Sequence, residues 1–163
     1  MDQQSQAEGD GDSQHSVREE DAMESSPKGR TLTVAVAPKA KARPRMSKSG
    51  HVYTPKDTIA YESYIRDRWN NTHGSHSPYA GAVAVIIRFH FKRPQKDYLR
   101  GTLRESAQKY VVKTPDLDNI EKAVLDALNG SAYVDDKQVV RKYTEKLWAH
   151  ENAVQIEVLP LEE

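Results

Sequence analysis

Ten residues constrain this chain more than any others. Residues 82–91 read Ala-Val-Ala-Val-Ile-Ile-Arg-Phe-His-Phe, nearly all apolar and rich in β-branched and aromatic types. Such a run predicts a strand, and its apolar character predicts a central one. Three further strands are expected. Residues 31–37, Thr-Leu-Thr-Val-Ala-Val-Ala, form one that Pro38 ends, and two lie near 138–148 and at 153–158. A helix is expected to open at Thr54-Pro55, with Thr54 as N-cap, Pro55 in the first helical position and Asp57 at the positive helix start. Tyr61, Ile65 and Trp69 then give it a core stripe to about residue 69. A second helix is expected from Asp118 as N-cap, with Glu121 at capping-box spacing and Gly130 just past its end. Its apolar face is Ile120, Ala123, Val124, Ala127 and Leu128. A short helix is expected around 103–109. Several strands with two main helices and few βαβ repeats predict an α+β fold with a small mixed or mainly antiparallel sheet.

The apolar residues stop short of the N-terminus. Residues 1–30 hold no aromatic and almost no large aliphatic side chain. Such a segment cannot bury enough apolar area to offset its ordering entropy, so 1–30 is expected to be a disordered acidic tail and 31–163 the folded domain. The formal charge of zero hides a partition. Residues 1–30 carry 3 Lys/Arg against 8 Asp/Glu, residues 31–113 carry 16 against 5, and residues 114–163 carry 5 against 11. A basic front suits a polyanion, and nucleic acid is the commonest. It lies largely in two loops. Residues 39–54 hold Lys39, Lys41, Arg43, Arg45 and Lys48, and residues 92–113 hold Arg93, Lys96, Arg100, Arg104 and Lys109. Cysteine is absent, which excludes disulfides and thiolate metal sites. No apolar run approaches the ~20 residues of a membrane span, and the start lacks the apolar stretch of a secretory signal. A reducing cytoplasmic location is therefore expected.

The chemistry is concentrated in residues 113–140. Asp116 and Asp118 are two apart, just after Pro115. If Asp116 is extended, both carboxylates point to one side, which makes half of a hard-cation site. After a helix and a turn come Asp135 and Asp136, within reach of the first pair at ~3.3 Å per residue. Three crowded carboxylates repel unless a cation neutralises them, which implies Mg²⁺, with Mn²⁺ as a substitute. Such a metal would lower the pKa of a bound water and neutralise charge on a phosphate. Lys122, one turn after Asp118, could donate to a phosphate oxygen. Each feature also has a plainer role. Asp118 would serve as a helix cap, Lys122 would pair with Asp126 at i, i+4, and Asp135-Asp136 would make a turn. The functional reading rests on their conjunction with the basic loops.

The string Pro-Asp-Leu-Asp-Asn-Ile-Glu-Lys-Ala-Val-Leu-Asp-Ala-Leu-Asn-Gly, followed by Tyr-Val-Asp-Asp-Lys-Gln-Val-Val, closely resembles the RusA family of Holliday junction resolvases, small endonucleases of phages and bacteria. Lys41-Ala42-Arg43-Pro44-Arg45 and Tyr53-Thr54-Pro55 resemble the front of that family, so the likeness covers roughly residues 31–158. It implies a RusA-like fold, Mg²⁺ held by Asp116, Asp118 and Asp136, and Lys122 as the functional lysine. Asp135 matches as well. Asn119 has two candidate roles, orienting a carboxylate and supporting the helix start, of which structural support is the favoured one. The resemblance further implies a homodimer acting on four-way DNA junctions in a bacterial cell or phage-infected host, with the two basic loops against DNA and no small-molecule cofactor. Two-fold symmetry suits paired cuts across a junction. Tyr53, Tyr98 and Tyr110 are candidates for wedging at the branch, although such residues more often pack under loops. Two other readings share these residues: a related nuclease cutting flaps, forks or duplex DNA, and a non-catalytic DNA-binding protein with structural carboxylates.

Overall fold

A computed structural model describes residues 29–162. The tail expected at 1–30 therefore lies outside the described residues except for Gly29 and Arg30, which belong to the fold. The elements run β1 (Arg30–Val34), β2 (Arg45–Met46), β3 (Val52–Tyr53), α1 (Lys56–His73), β4 (Val83–Lys92), β5 (Tyr98–Leu99), β6 (Thr102–Leu103), α2 (Leu117–Leu128), β7 (Val139–Ala149) and β8 (Ala153–Pro160). One-turn 3₁₀ helices, Gln95–Asp97 and Asp136–Gln138, precede β5 and β7. The main sheet has the order β1-β8-β4-β7, with β4 interior as expected. It is mixed, because β1–β8 and β8–β4 are antiparallel while β4–β7 is parallel.

Alternation sorts the sheet into two faces. Val83, Val85, Ile87 and Phe89 of β4 join Leu32 and Val34 of β1 and Val154, Ile156 and Val158 of β8 in the core, all buried. The helices pack on this face: Tyr61, Ile65 and Trp69 of α1 and Ile120, Ala123, Val124, Ala127 and Leu128 of α2 complete the same cluster. The other face of β4 carries Ile86, Arg88 and His90, and there Arg88 pairs with its cross-strand neighbour Glu145 at 3.0 Å. The long apolar run thus serves a sheet with helices on one side.

Three boundaries differ from the sequence expectation. Strand β1 stops at Val34, where the Val36 amide turns back onto the Val34 carbonyl. Helix α1 starts at Lys56 with Pro55 as N-cap, and it runs to His73 rather than 69. His73 stacks on Trp69, with ring centroids 4.6 Å apart, and contacts the Thr31 carbonyl at 2.7 Å, so the stripe continues another turn. No helix forms at 103–109. Residues 104–109 make a turn, closed by the Ala107 amide on the Arg104 carbonyl, and just before them stands the β5–β6 hairpin, whose two turn residues, Arg100 and Gly101, both have positive φ. That matches the twist a two-residue hairpin requires.

Helix α2 ends where Gly130 (φ +81) suggested, with Asn129 as C-cap. Its last turn holds no basic residue of its own. Arg66 of α1 supplies the charge, donating from Nε to the Ala127 carbonyl at 3.0 Å and from a terminal nitrogen to the Asp126 carbonyl at 3.2 Å. A cation on C-terminal carbonyls also complements the helix dipole. Arg66→Ala is expected to lower stability by about 1–3 kcal/mol, read as a lower urea midpoint with an unchanged slope.

Candidate metal and nucleic-acid site

The site begins with a correction at the start of α2. The N-cap is Asp116, not Asp118, and its carboxylate makes no capping bond. Asp116 is extended (φ −67, ψ 142) and its carbonyl accepts the first helical bond, from the Ile120 amide. Asp118 lies inside the first turn, where a carboxylate favours the positive end of the helix. The two carboxylates therefore share a helix end rather than one side of an extended strand. Lys122 follows Asp118 at i+4 and so lies on the same helix face.

Glu121 does not complete a capping box with Asp118. It is only 9% exposed, and its carboxylate is held by Lys142 and, at 2.9 Å, by the Thr144 hydroxyl. Both belong to β7. The parallel register puts Lys142, Thr144, Lys146 and Trp148 opposite Val85, Ile87, Phe89 and Phe91, on the helix side of the sheet. Lys146 continues this polar stripe and donates to the carbonyls of Lys113 and, at 2.7 Å, Pro115. The residue before Asp116 is thus fixed by β7. Sequence reasoning missed this stripe, although two signals were there. Glu121 stands three residues before Val124 and seven before Leu128, beside an apolar face, and Lys-Tyr-Thr-Glu-Lys at 142–146 alternates with period two.

The second acidic pair is divided between two roles. Asp135 caps the 3₁₀ turn: its Oδ1 accepts from the Lys137 amide at 3.0 Å, and Gln138 Oε1 accepts from the Asp135 amide at 2.8 Å. The Lys137 amide bond holds the Asp135 carboxyl below the usual carboxylate range, helped by the Lys137 charge. Gln138 then donates to the carbonyls of Tyr79 and Gly81 at 2.7 and 2.8 Å. Asp136 stays exposed. Its charge adds to burial in pushing the Tyr133 hydroxyl up, and that hydroxyl donates to the Leu125 carbonyl of α2 at 2.8 Å.

Asp116, Asp118, Asp136 and Lys122 are all exposed, and none is in a salt bridge among the described residues. Exposed carboxylate oxygens without competing cations fit a hard divalent ion such as Mg²⁺. Among the described residues, however, no three acidic or histidine side chains stand close enough together to hold a metal. The fold brings Asp116 and Asp118 to one helix end and does not gather Asp136 with them.

The basic residues fall into two groups. Lys41 faces inward, with Nζ 2.6 Å from both Glu62 and Asp126. Burial pulls its ammonium pKa down, and the Asp126 and Glu62 carboxylates outweigh that and raise it above the ordinary value. Asp126 is therefore taken by Lys41, not by Lys122. The Lys41 amide also donates to the Asn119 backbone carbonyl at 3.0 Å. Arg93 pins its own loop, bonding to the Gln108 carbonyl at 2.7 Å and Asp97 at 3.4 Å. Lys39, Arg43, Arg45, Lys48, Lys96, Arg100 and Arg104 are exposed. Of the aromatic candidates, Tyr53 and Tyr110 are about half exposed and Tyr98 is partly buried. Among the described residues no helix is long and apolar enough to cross a membrane.

Two comparisons bear on this arrangement. A family model described as endodeoxyribonuclease RusA matches residues 35–159. The uncharacterized protein YqaN of Bacillus subtilis (strain 168) is 29% identical over 131 residues, which span 77% of this chain and 92% of that protein.

The division among the cations gives an expected outcome. Lys41→Met leaves Glu62 and Asp126 facing each other without a cation and is expected to destabilise the fold by about 1–3 kcal/mol. Arg43→Ala and Arg45→Ala should stay within about 0.5 kcal/mol of the parent. Thermal unfolding of the three variants separates the two roles.

Proposed function

Because the chain belongs to the RusA endodeoxyribonuclease family, we propose that it resolves Holliday junctions by paired, Mg²⁺-dependent hydrolysis of phosphodiester bonds, as a homodimer. One observation carries this reading. The acids near the site are otherwise engaged: Glu62 and Asp126 by Lys41, Glu121 by Lys142, Asp97 by Arg93. The three aspartates and the lysine that the family likeness singles out are left exposed and without ion partners among the described residues.

Asp116, Asp118 and Asp136 would hold the metal, Mg²⁺ or Mn²⁺. When bound, that ion supplies an acidified water and neutralises charge on the phosphate. Three like charges repel until a cation neutralises them, so their assembly is coupled to metal binding. The remaining work belongs to the chain. Lys122, on the Asp118 face of α2, donates to a non-bridging phosphate oxygen. Arg43, Arg45, Lys48, Arg100 and Arg104 hold flanking phosphates, which positions the strand without reading its sequence. Two copies related by a two-fold axis give two sites for symmetric cuts.

A labelled four-way junction and a matched linear duplex, each with Mg²⁺ and with EDTA, test the reading. Symmetric, Mg²⁺-dependent cuts confined to the junction are the expected result. Cutting of both substrates would leave a nuclease without junction selectivity. Binding without cutting under any divalent metal would make the chain a DNA-binding protein. Asp116→Asn, Asp118→Asn and Asp136→Asn should each abolish cleavage and preserve junction binding, and full cleavage by any one removes that residue from the site. Replacing Arg43, Arg45 and Lys48 with Ala should flatten the salt dependence of junction affinity, by about one in the log–log slope for each lost phosphate contact.

A further inference from the structure

The loop between β4 and α2, together with the end of β7, lines an open cavity of about 470 Å³, within the size range of small-ligand sites. Its lining includes Lys96, Asp97, Ser106, Gln108, Lys113 and Trp148, the Asp97 carboxylate being paired with Arg93. The cavity is built rather than incidental. Arg93 ties its wall to the Gln108 carbonyl and to Asp97, the Arg104 amide bonds to the Asp97 carbonyl, and the Trp148 amide bonds to the Lys109 carbonyl. Lys146, next in the β7 stripe, holds the Lys113 carbonyl.

The chemistry of the lining is specific. Trp148 stands on the helix side of the sheet, braced edge-on by Phe91 with ring centroids 6.4 Å apart. The Lys113 ammonium lies over its ring, 5.1 Å from the centroid. Neither Lys96 nor Lys113 has a carboxylate partner among the described residues. An indole face, two uncommitted ammonium groups, a hydroxyl and a side-chain amide match one flat heterocycle attached to a phosphate. Base–aromatic stacking beside cationic phosphate contacts is how unpaired strands are held. Lys113 is also three residues before Asp116, so whatever the cavity holds lies in sequence beside the carboxylates.

We propose that this cavity binds one unpaired deoxynucleotide of the DNA, its base stacked on Trp148 and its phosphate held by Lys96 and Lys113. The inference rests on the reading of the chain as a nuclease of branched DNA, whose strands unpair most readily at the branch. A base stacking on the indole takes the place of the Lys113 ammonium and releases it to the phosphate.

Tryptophan emission tests this directly. The chain has two tryptophans. Trp69 is buried in the core at 1% exposure and gives a constant background, so a change in emission on binding reports Trp148. The full chain is titrated in EDTA at low salt with a short oligothymidylate and with an abasic deoxyribose-phosphate strand of equal length. The thymidylate is expected to quench emission and the abasic strand to bind more weakly without quenching. Trp148→Ala should remove the quench and weaken thymidylate binding roughly tenfold, with Trp148→Phe keeping most of the affinity. Lys96→Ala with Lys113→Ala should weaken both strands. Equal quenching by the two strands would overturn the proposal, because it would mean an anion site without a base. Unquenched thymidylate binding by the wild type would overturn it as well, without any variant that has to fold. The same preparation is assayed on a four-way junction with Mg²⁺. Absence of cutting there defeats the nuclease reading, while quenching by thymidylate alone still supports the nucleotide site.

Discussion

A buried carboxylate holds the working end of this molecule in place. Glu121 sits on the packed side of α2, where an unpaired charge would be strongly destabilising. Lys142 and Thr144 of β7 satisfy it, so α2 can dock against β7 in only one register. Lys146, two residues further along, holds the Lys113–Pro115 backbone. A single polar stripe on the edge strand thereby determines where Asp116 and Asp118 lie and which way Lys122 faces. The apolar cluster glues the layers together, and this stripe sets their alignment.

The same division explains what could be read from the residues beforehand. The α2 face, the interior strand and Gly130 were legible because each depends on local periodicity or on a backbone conformation. The family motif was legible as a string. The N-cap was not, since Asp-Leu-Asp offers two acids and the position falls to Asp116, whose backbone is extended. The helix expected at 103–109 gave way to a turn at 104–107, anchored by the Arg104 amide on the Asp97 carbonyl, a contact outside any local period. The partners of Lys41 and Glu121 lie 21 residues or more away, and no window-based rule sees across that distance. The two aspartates at one helix end could be inferred. That Asp136 stands apart from them depends on how the 3₁₀ turn hangs from Tyr79 and Gly81, which is a tertiary fact.

Charge counting overstates the cationic surface. Lys41, Arg66, Arg93, Lys142 and Lys146 spend their charge inside the fold, on carboxylates or helix and loop carbonyls. The exposed remainder includes Arg45 and Lys48 on the β2–β3 hairpin and Arg100 on the β5–β6 hairpin.

The segment from Gly130 to Val134 behaves differently from those hairpins. The Gly130 amide bonds to the Tyr133 carbonyl, Ser131 and Ala132 bond back to Leu128, and Tyr79 exchanges bonds with Ala132 and Val134. Ala132 and Tyr133 are fully buried. A connection bonded to α2 at one end and to Tyr79 at the other leaves little room for an added residue. Natural variation in length can collect at the Arg100–Gly101 tip, where an added residue displaces only solvent, but one residue gained or lost between Asn129 and Asp135 would break the bonds by which this segment and the turn carrying Asp136 hang on Tyr79 and Gly81. Among relatives of this chain, the spacing between the two acidic pairs should therefore be far more nearly constant than the length of the basic loops.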